Sequence, residues 1–144
     1  MSVKVRNAIL SDFVSIYQFI NELEGTVFNK EIQENIYKTN LANPDVVYFI
    51  AEQNKAAIGF ISCHFQYLLH HAEQVGEIQE MFVQEKFRSS GTGKALLHFV
   101  LADAKKRNVT LVEVTSNKVR EKAHQFYLRE GFKATHFKFT IDVK

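Results

Sequence analysis

The chain has 144 residues, 46% of them hydrophobic and 24% charged, a size and balance that fit one globular domain and exclude intrinsic disorder. A net charge of +2, with basic and acidic residues interspersed, lacks the clustered positive field of a nucleic-acid-binding protein. The single cysteine, Cys63, excludes an internal disulfide and a paired-cysteine metal site, and its place in the apolar run 56–65 predicts a packed, inert thiol.

Residues 3–8 alternate apolar and polar side chains and predict a first strand. Ser11-Asp12 then offers a helix N-cap, and Phe13, Ile16, Tyr17, Ile20 and Leu23 repeat at helical spacing up to Gly25. A second helix is predicted over residues 30–41, with Ile32, Ile36 and Tyr37 on one face, stopped by Asn43-Pro44-Asp45. The β-rich runs 46–52 and 56–67 flank Gln53-Asn54-Lys55, a hairpin signal. Residues 68–74 read as a connection and 76–83 as another strand. Leu96, Leu97, Val100, Leu101 and Ala104 mark an amphipathic helix that closes on Lys105-Lys106-Arg107, cations suited to a helix C-terminus. Residues 110–115 predict a strand, 119–130 a helix stopped by Gly131, and 132–143 a final strand or strand pair of alternating aromatic and polar residues. The order β-α-α-β-β-β-α-β-α-β is an α/β or α+β layout, a mixed sheet covered by helices within one domain over 1–144. The N-terminus offers no apolar stretch for a signal peptide, and no apolar run approaches the ~20 residues of a membrane span. A cytoplasmic protein without a membrane partner is expected.

One junction concentrates chemistry. The strand ending Met81-Phe82-Val83 runs into Arg88-Ser89-Ser90-Gly91-Thr92-Gly93-Lys94, a polar glycine turn that opens a helix. Unpaired N–H groups and the helix dipole make such a turn an anion site, and Arg88 adds a charged contact. A Walker loop would need glycine where Arg88 stands and Ser or Thr where Ala95 stands. A dinucleotide fingerprint would need a third glycine at Leu96 and a place after the first strand. What remains is [R/Q]-x-x-G-x-[G/A].

At these residues the chain resembles the GNAT superfamily of N-acetyltransferases. Asn117, Ala123, Phe126, Tyr127, Gly131 and Phe132 match that family's second signature, although Asn117 stands further from Ala123 than is usual. The resemblance implies a mixed, mostly antiparallel sheet flanked by about four helices, with acetyl-CoA as cosubstrate. It implies that Arg88 to Lys94, with Asn117 and Phe126, contact the cofactor, and that the backbone of Met81, Phe82 and Val83 holds the acetyl carbonyl and pantetheine arm. Segments around Leu69-His70-His71, Gly76-Glu77-Ile78-Gln79-Glu80, Ala123-His124 and His136-Phe137-Lys138-Phe139-Thr140 look like the bacterial aminoalkylphosphonate N-acetyltransferases. That likeness implies a small aminophosphonate acceptor and an associated divalent metal.

Acetyl transfer to an aliphatic amine, whose pKa lies near ~10, requires a base near neutral pH. By the resemblance that base is Glu77, acting directly or through a water. Glu80, three residues on, is expected on the opposite face of the strand unless a bulge intervenes. Tyr127 matches the family's proton donor to the CoA sulfur, and its spacing with Ala123 and Phe126 equally suits a packed helical face. His70 and His71, with His64 and Glu77 on the acceptor side, are candidate metal ligands or phosphonate contacts; His124, His136 and Lys138 are candidate contacts for an anionic substrate. Three functions stay open: acetylation of a small primary amine, acetylation of a peptide, polyamine or aminoglycoside, and non-catalytic binding of acetyl-CoA. The cluster Glu22, Glu24, Glu31 and Glu34 suits a cationic acceptor. The residues do not give the oligomeric state; by the resemblance a homodimer is one candidate, with the aromatic C-terminal strand as its candidate interface.

Overall fold

The computed structural model describes residues 2–144. The chain forms two compact units, the larger reaching to Glu113 and the smaller spanning Val114–Lys144. Among the described residues there are five strands, β1 (Lys4–Asn7), β2 (Val46–Gln53), β3 (Ala56–Leu68), β4 (Glu73–Val83) and β5 (Val112–Val114). Four α-helices join them, α1 (Phe13–Glu24), α2 (Lys30–Leu41), α3 (Thr92–Lys106) and α4 (Glu121–Arg129). The sheet order is β1-β2-β3-β4-β5, and β1 to β4 pair antiparallel. Asn54 and Lys55 adopt positive φ (53° and 65°), as a tight turn between two right-twisted strands requires.

Alternation along the strands sorts the larger unit into layers. Tyr48, Ile50, Phe60 and Phe82 face Phe13, Ile16 and Phe19 of α1, forming an aromatic core in which the Phe19 and Phe82 rings lie 5.2 Å apart. Each fully buried Phe or Ile of this kind contributes about 1.5–3 kcal/mol. On the other face α3 buries Leu96, Leu97, Val100 and Ala104, while Leu101 stays 40% exposed at the edge of that stripe. Cys63 is fully buried, and burial, ahead of the nearby Asp103 charge, pushes its thiol up to about 12, so it stays unreactive.

Asp12 occupies the N-cap of α1, but its carboxylate does not cap that helix. It accepts both terminal nitrogens of Arg6 (2.8 and 2.9 Å) and the Ile9 N–H (2.7 Å). Burial alone would raise its pKa; the Arg6 hydrogen bonds and the Ile9 N–H outweigh burial and lower it.

Two expectations are corrected. Of Ile32, Ile36 and Tyr37 only Tyr37 is buried; Ile36 lines an open cavity rather than a filled core, and Ile32 is 60% exposed. Residues 132–144 form no strand; the alternating pattern is present, but among the described residues it makes no ladder pairing, and alternation without ladder hydrogen bonds does not make a strand.

Candidate active site

The centre of β4 is irregular. Met81 pairs with Ile61 and Glu80 with Ser62, but Cys63 pairs with Ile78, so Gln79 is an extra residue on β4. The register then continues with Glu77 opposite His64. Ser62 and His64 share one face of β3, and residues directly opposite each other point the same way. The bulge therefore turns Glu77 and Glu80 to the same face, where simple alternation put them on opposite ones. Glu77 Oε1 accepts the Gln79 amide (2.8 Å). Glu80 accepts the hydroxyl of Ser62, which is fully buried, and its own N–H donates back to Ser62 Oγ at 3.0 Å.

That face carries a cavity of about 420 Å³ between the sheet and the first two helices. Phe13, Ile16, Ile20, Phe28 and Ile36 give it apolar walls, and Tyr48, His64, Gln79 and Glu80 form its sheet side. Glu24, Gln33 and Asn40 close it from the helices. Gln33 Oε1 is buried without a hydrogen-bond donor among the described residues. An acceptor atom in that state, beside carboxylates and away from any Arg or Lys in the lining, matches a ligand that brings N–H donors.

The glycine turn sits at the end of the same strand. A short 3-10 turn, Glu85–Phe87, follows Val83, and Ser89 (φ 63°) and Gly91 (φ 88°) are both left-handed. Gly91 is the N-cap of α3, whose first bond runs from Ala95 N–H to Gly91 O at 3.0 Å. The N–H groups of Thr92, Gly93 and Lys94 precede that bond and have no helical acceptor. A Cβ on Gly91 would meet nothing within 4 Å, so the backbone conformation, not crowding, is what calls for glycine. Arg88 donates Nε–H to Val83 O at 2.7 Å, and its guanidinium lies 5.3 Å from the Phe82 ring centroid, which anchors the fork beside the turn. Ser90 Oγ bonds Phe87 O and lies 3.1 Å from Thr92 Oγ1. Met81, Phe82 and Val83 pair with β3 along one edge, whereas Leu111, just before β5, meets β4 at Gly76, well upstream.

In the smaller unit Asn117 organises a turn. Its Oδ1 accepts Val119 N–H (3.0 Å), and its carbonyl accepts Arg120 N–H (3.0 Å) and lies 2.8 Å from His124 Nε2. Helix α4 then ends in a Schellman motif: Gly131 (φ 98°) donates to Leu128 O at 3.1 Å and Phe132 to Tyr127 O at 2.9 Å. The Phe132 and Tyr127 rings meet at 5.4 Å, the apolar contact that accompanies this cap. Phe126 adds an edge contact at 5.4 Å. Burial raises the Tyr127 phenol above its ordinary value, against the opposing charge of Arg120, so the hydroxyl stays protonated. The Gly-Phe pair of the second signature is thus a helix-end clamp on Tyr127.

His70 and His71 lie in the turn between β3 and β4, their rings 4.3 Å apart, and His71 Nε2 is 3.7 Å from Glu113. Among the described residues no three His, Cys, Asp or Glu side chains converge as metal ligands. The pair does not fit a metal held by the protein alone. His136 Nδ1 lies 2.6 Å from Thr135 Oγ1 in the C-terminal segment. Ser62, Gln79 and Gln33 carry no signal in the sequence; their place depends on the bulge and the cavity.

The profile of the acetyltransferase (GNAT) family matches residues 11–132. An aminoalkylphosphonate N-acetyltransferase from Salmonella typhimurium is 38% identical over 137 residues, covering 95% of this chain and 89% of that protein. An uncharacterized N-acetyltransferase from Archaeoglobus fulgidus is 28% identical over 86% of each chain. In fold, a crystal structure described as a transcriptional regulator from Bacillus halodurans superposes with a TM-score of 0.89 at 21% identity, over 99% of this chain and 100% of the other. The chain belongs to the acetyltransferase (GNAT) family and is an N-acetyltransferase, of a family that takes its acetyl group from acetyl-CoA and passes it to an amine.

Proposed function

We propose that residues 1–144 act as one catalytic domain that acetylates the primary amine of a small aminoalkylphosphonate. The observation that carries the amine chemistry is the bulge at Gln79, which turns Glu77 to the same face of the sheet as Glu80, where Glu80 lines a cavity with an unpartnered acceptor. The phosphonate class is supported by the Salmonella typhimurium relative.

Acetyl-CoA supplies an activated thioester. Arg88, Ser89, Ser90, Gly91, Thr92, Gly93 and Lys94 bind its diphosphate through N–H groups and the terminal nitrogens of Arg88. Asn117 and Phe126 complete the cofactor contacts. The backbone of Met81, Phe82 and Val83 pairs with the pantetheine amide groups and polarises the acetyl carbonyl. Glu77 removes the proton from the acceptor ammonium, directly or through a water, and Glu80 holds the same face negative. Tyr127, kept protonated by burial, donates its proton to the departing sulfur.

A polyamine acceptor is the second reading, favoured by the cavity lining, which has Glu24 and Glu80 and neither Arg nor Lys. Thiol release from acetyl-CoA against 2-aminoethylphosphonate, spermidine, an aminoglycoside and a short peptide, with and without divalent metal, separates these. Turnover confined to the phosphonate supports the proposal, and turnover of spermidine alone replaces it. A dependence on added metal would bring the cation in with the substrate, since His70 and His71 supply only a pair of ligands. Glu77→Gln is expected to lower kcat by about 10²-fold or more and to shift activity to higher pH, where the amine deprotonates unaided. An unchanged profile, with the loss appearing instead in Glu80→Gln, moves the base to Glu80. The same reading includes a cytoplasmic location, checked by fractionation, and association of two copies, checked by light scattering.

A further inference from the structure

A serine stands in the middle of the sheet, where an apolar side chain is the ordinary occupant. Ser62 is fully buried in the run Ile58-Gly59-Phe60-Ile61-Ser62-Cys63 and borders the register shift that makes the bulge. A buried hydroxyl costs stability unless its hydrogen bonds are made. Both of its bonds go to one residue: the hydroxyl donates to Glu80 Oε1, and the Glu80 N–H donates back to Ser62 Oγ at 3.0 Å. The opposite strand thus holds the Glu80 carboxylate, which gives up the rotamer freedom of a surface glutamate. Its other oxygen, Oε2, has no protein partner among the described residues.

The register places that carboxylate. Tyr48, Ser62 and Glu80 form one row across β2, β3 and β4, and residues directly opposite each other share a face. Tyr48 and Glu80 line the cavity, while Ser62, between them, is closed off from solvent. Glu24, the other carboxylate of the lining, is exposed, whereas Glu80 is half-buried. Water weakens charge attraction, so Glu80 is the stronger of the two toward a cation. On α2, Gln33 Oε1 adds a second acceptor that lacks a donor. Glu77 shares the face of Glu80 but lies outside the lining, a place suited to taking a proton through a water.

We propose that Ser62 is a positioning residue: it fixes the Glu80 carboxylate so that Oε2 receives the ammonium group of the acceptor. The proposal rests on the acceptor entering this cavity, as in the reading above, and adds what orients the ammonium before its proton leaves. It holds equally for an aminophosphonate and a polyamine, since both arrive as ammonium ions.

The test is whether the two residues act as one unit on the KM of the acceptor, read by thiol release. Glu80→Gln keeps the shape and removes the charge, and should raise that KM by about 10²-fold. Ser62→Ala should raise it by about tenfold, with kcat changed less and the KM for acetyl-CoA unchanged. Added to Glu80→Gln, Ser62→Ala should raise it little further, because the charge that Ser62 orients is already gone; independent effects would multiply to about 10³-fold. Ser62→Cys fills the same space with only a weak S–H donor and should follow Ser62→Ala, which separates lost orientation from a void in the core. Circular dichroism checks that each variant is folded. Effects that multiply, Ser62→Cys with the KM of the unmodified protein, or a KM that responds to Glu24→Gln and not to Glu80→Gln overturns the proposal while the catalytic reading stands. No turnover of any amine in the panel defeats that reading, and this proposal with it.

Discussion

At the start of α3 Gly91 holds a φ of 88°, and just past the end of α4 Gly131 holds 98°. Both are left-handed, and at both a Cβ would meet open space, so each glycine is there for its backbone angle. The two helix ends are nevertheless built for opposite purposes. The N-terminus of α3 leaves the N–H groups of Thr92, Gly93 and Lys94 without helical acceptors and sets Arg88 beside them. The C-terminus of α4 does the reverse: Gly131 and Phe132 donate to Leu128 and Tyr127, and the Phe132 ring closes on Tyr127. An open end leaves donors free for an anion, whereas a closed end is a mount for a side chain. The lesson is that a glycine near a helix terminus says little until its hydrogen bonds are followed.

The sharpest way to separate the two ends is to remove what the closed one mounts. Tyr127→Phe keeps the ring and the Schellman bonds but deletes the phenol, and kcat is expected to fall about 10²-fold or more. The KM for acetyl-CoA and the thermal midpoint should stay near those of the unmodified protein. Because burial holds the phenol above its ordinary pKa, the unmodified enzyme should show no alkaline loss from this group below about pH 10. A loss of helix in place of a loss of rate would make Tyr127 a packing residue only.

A smaller effect is expected at the open end. Gly91→Val forces a β-branched residue into the left-handed region, at a cost of roughly 1–2 kcal/mol, and displaces the N–H groups of the turn. The KM for acetyl-CoA should rise about tenfold, with kcat at saturating cofactor changed less. If kcat falls while KM holds, the turn does not carry the cofactor.

The smallest change belongs to the closed end itself. Gly131→Ala should cost about 1 kcal/mol in urea unfolding, by straining the cap, and should leave the KM for acetyl-CoA alone. A rise in KM comparable to that of Gly91→Val would erase the distinction between the two ends.

Much of the fold was legible in the sequence because local chemistry decides it. Helix α2 lies at the expected residues 30–41, capped by Asn29 through a 2.9 Å bond to Ile32 N–H. Helix α1 begins and ends where its capping residues stand, and the β2–β3 turn falls at Asn54-Lys55. The glycine turn opens α3, as the strand–turn–helix pattern required. Where the pattern misled, a distant partner was the cause. Ile32 and Ile36 have helical spacing, yet Ile36 lines a cavity and Ile32 is exposed. The tail 132–143 has strand alternation, yet it makes no ladder pairing among the described residues.

The sequence by itself thus determined the order of elements as far as α4, the family and the glycine turn, and it named a candidate base and acid, because these rest on residue type and short spacings. Only the tertiary structure decided that Glu77 and Glu80 share a face, since an extra residue in a strand is visible only against its neighbour's register. Only it revealed the cavity at which Gln33, His64 and Glu80 meet, drawn from three separate elements. It also turned the Gly131-Phe132 signature from a pattern into a clamp, because a Schellman bond is a fact of geometry that residue names only permit.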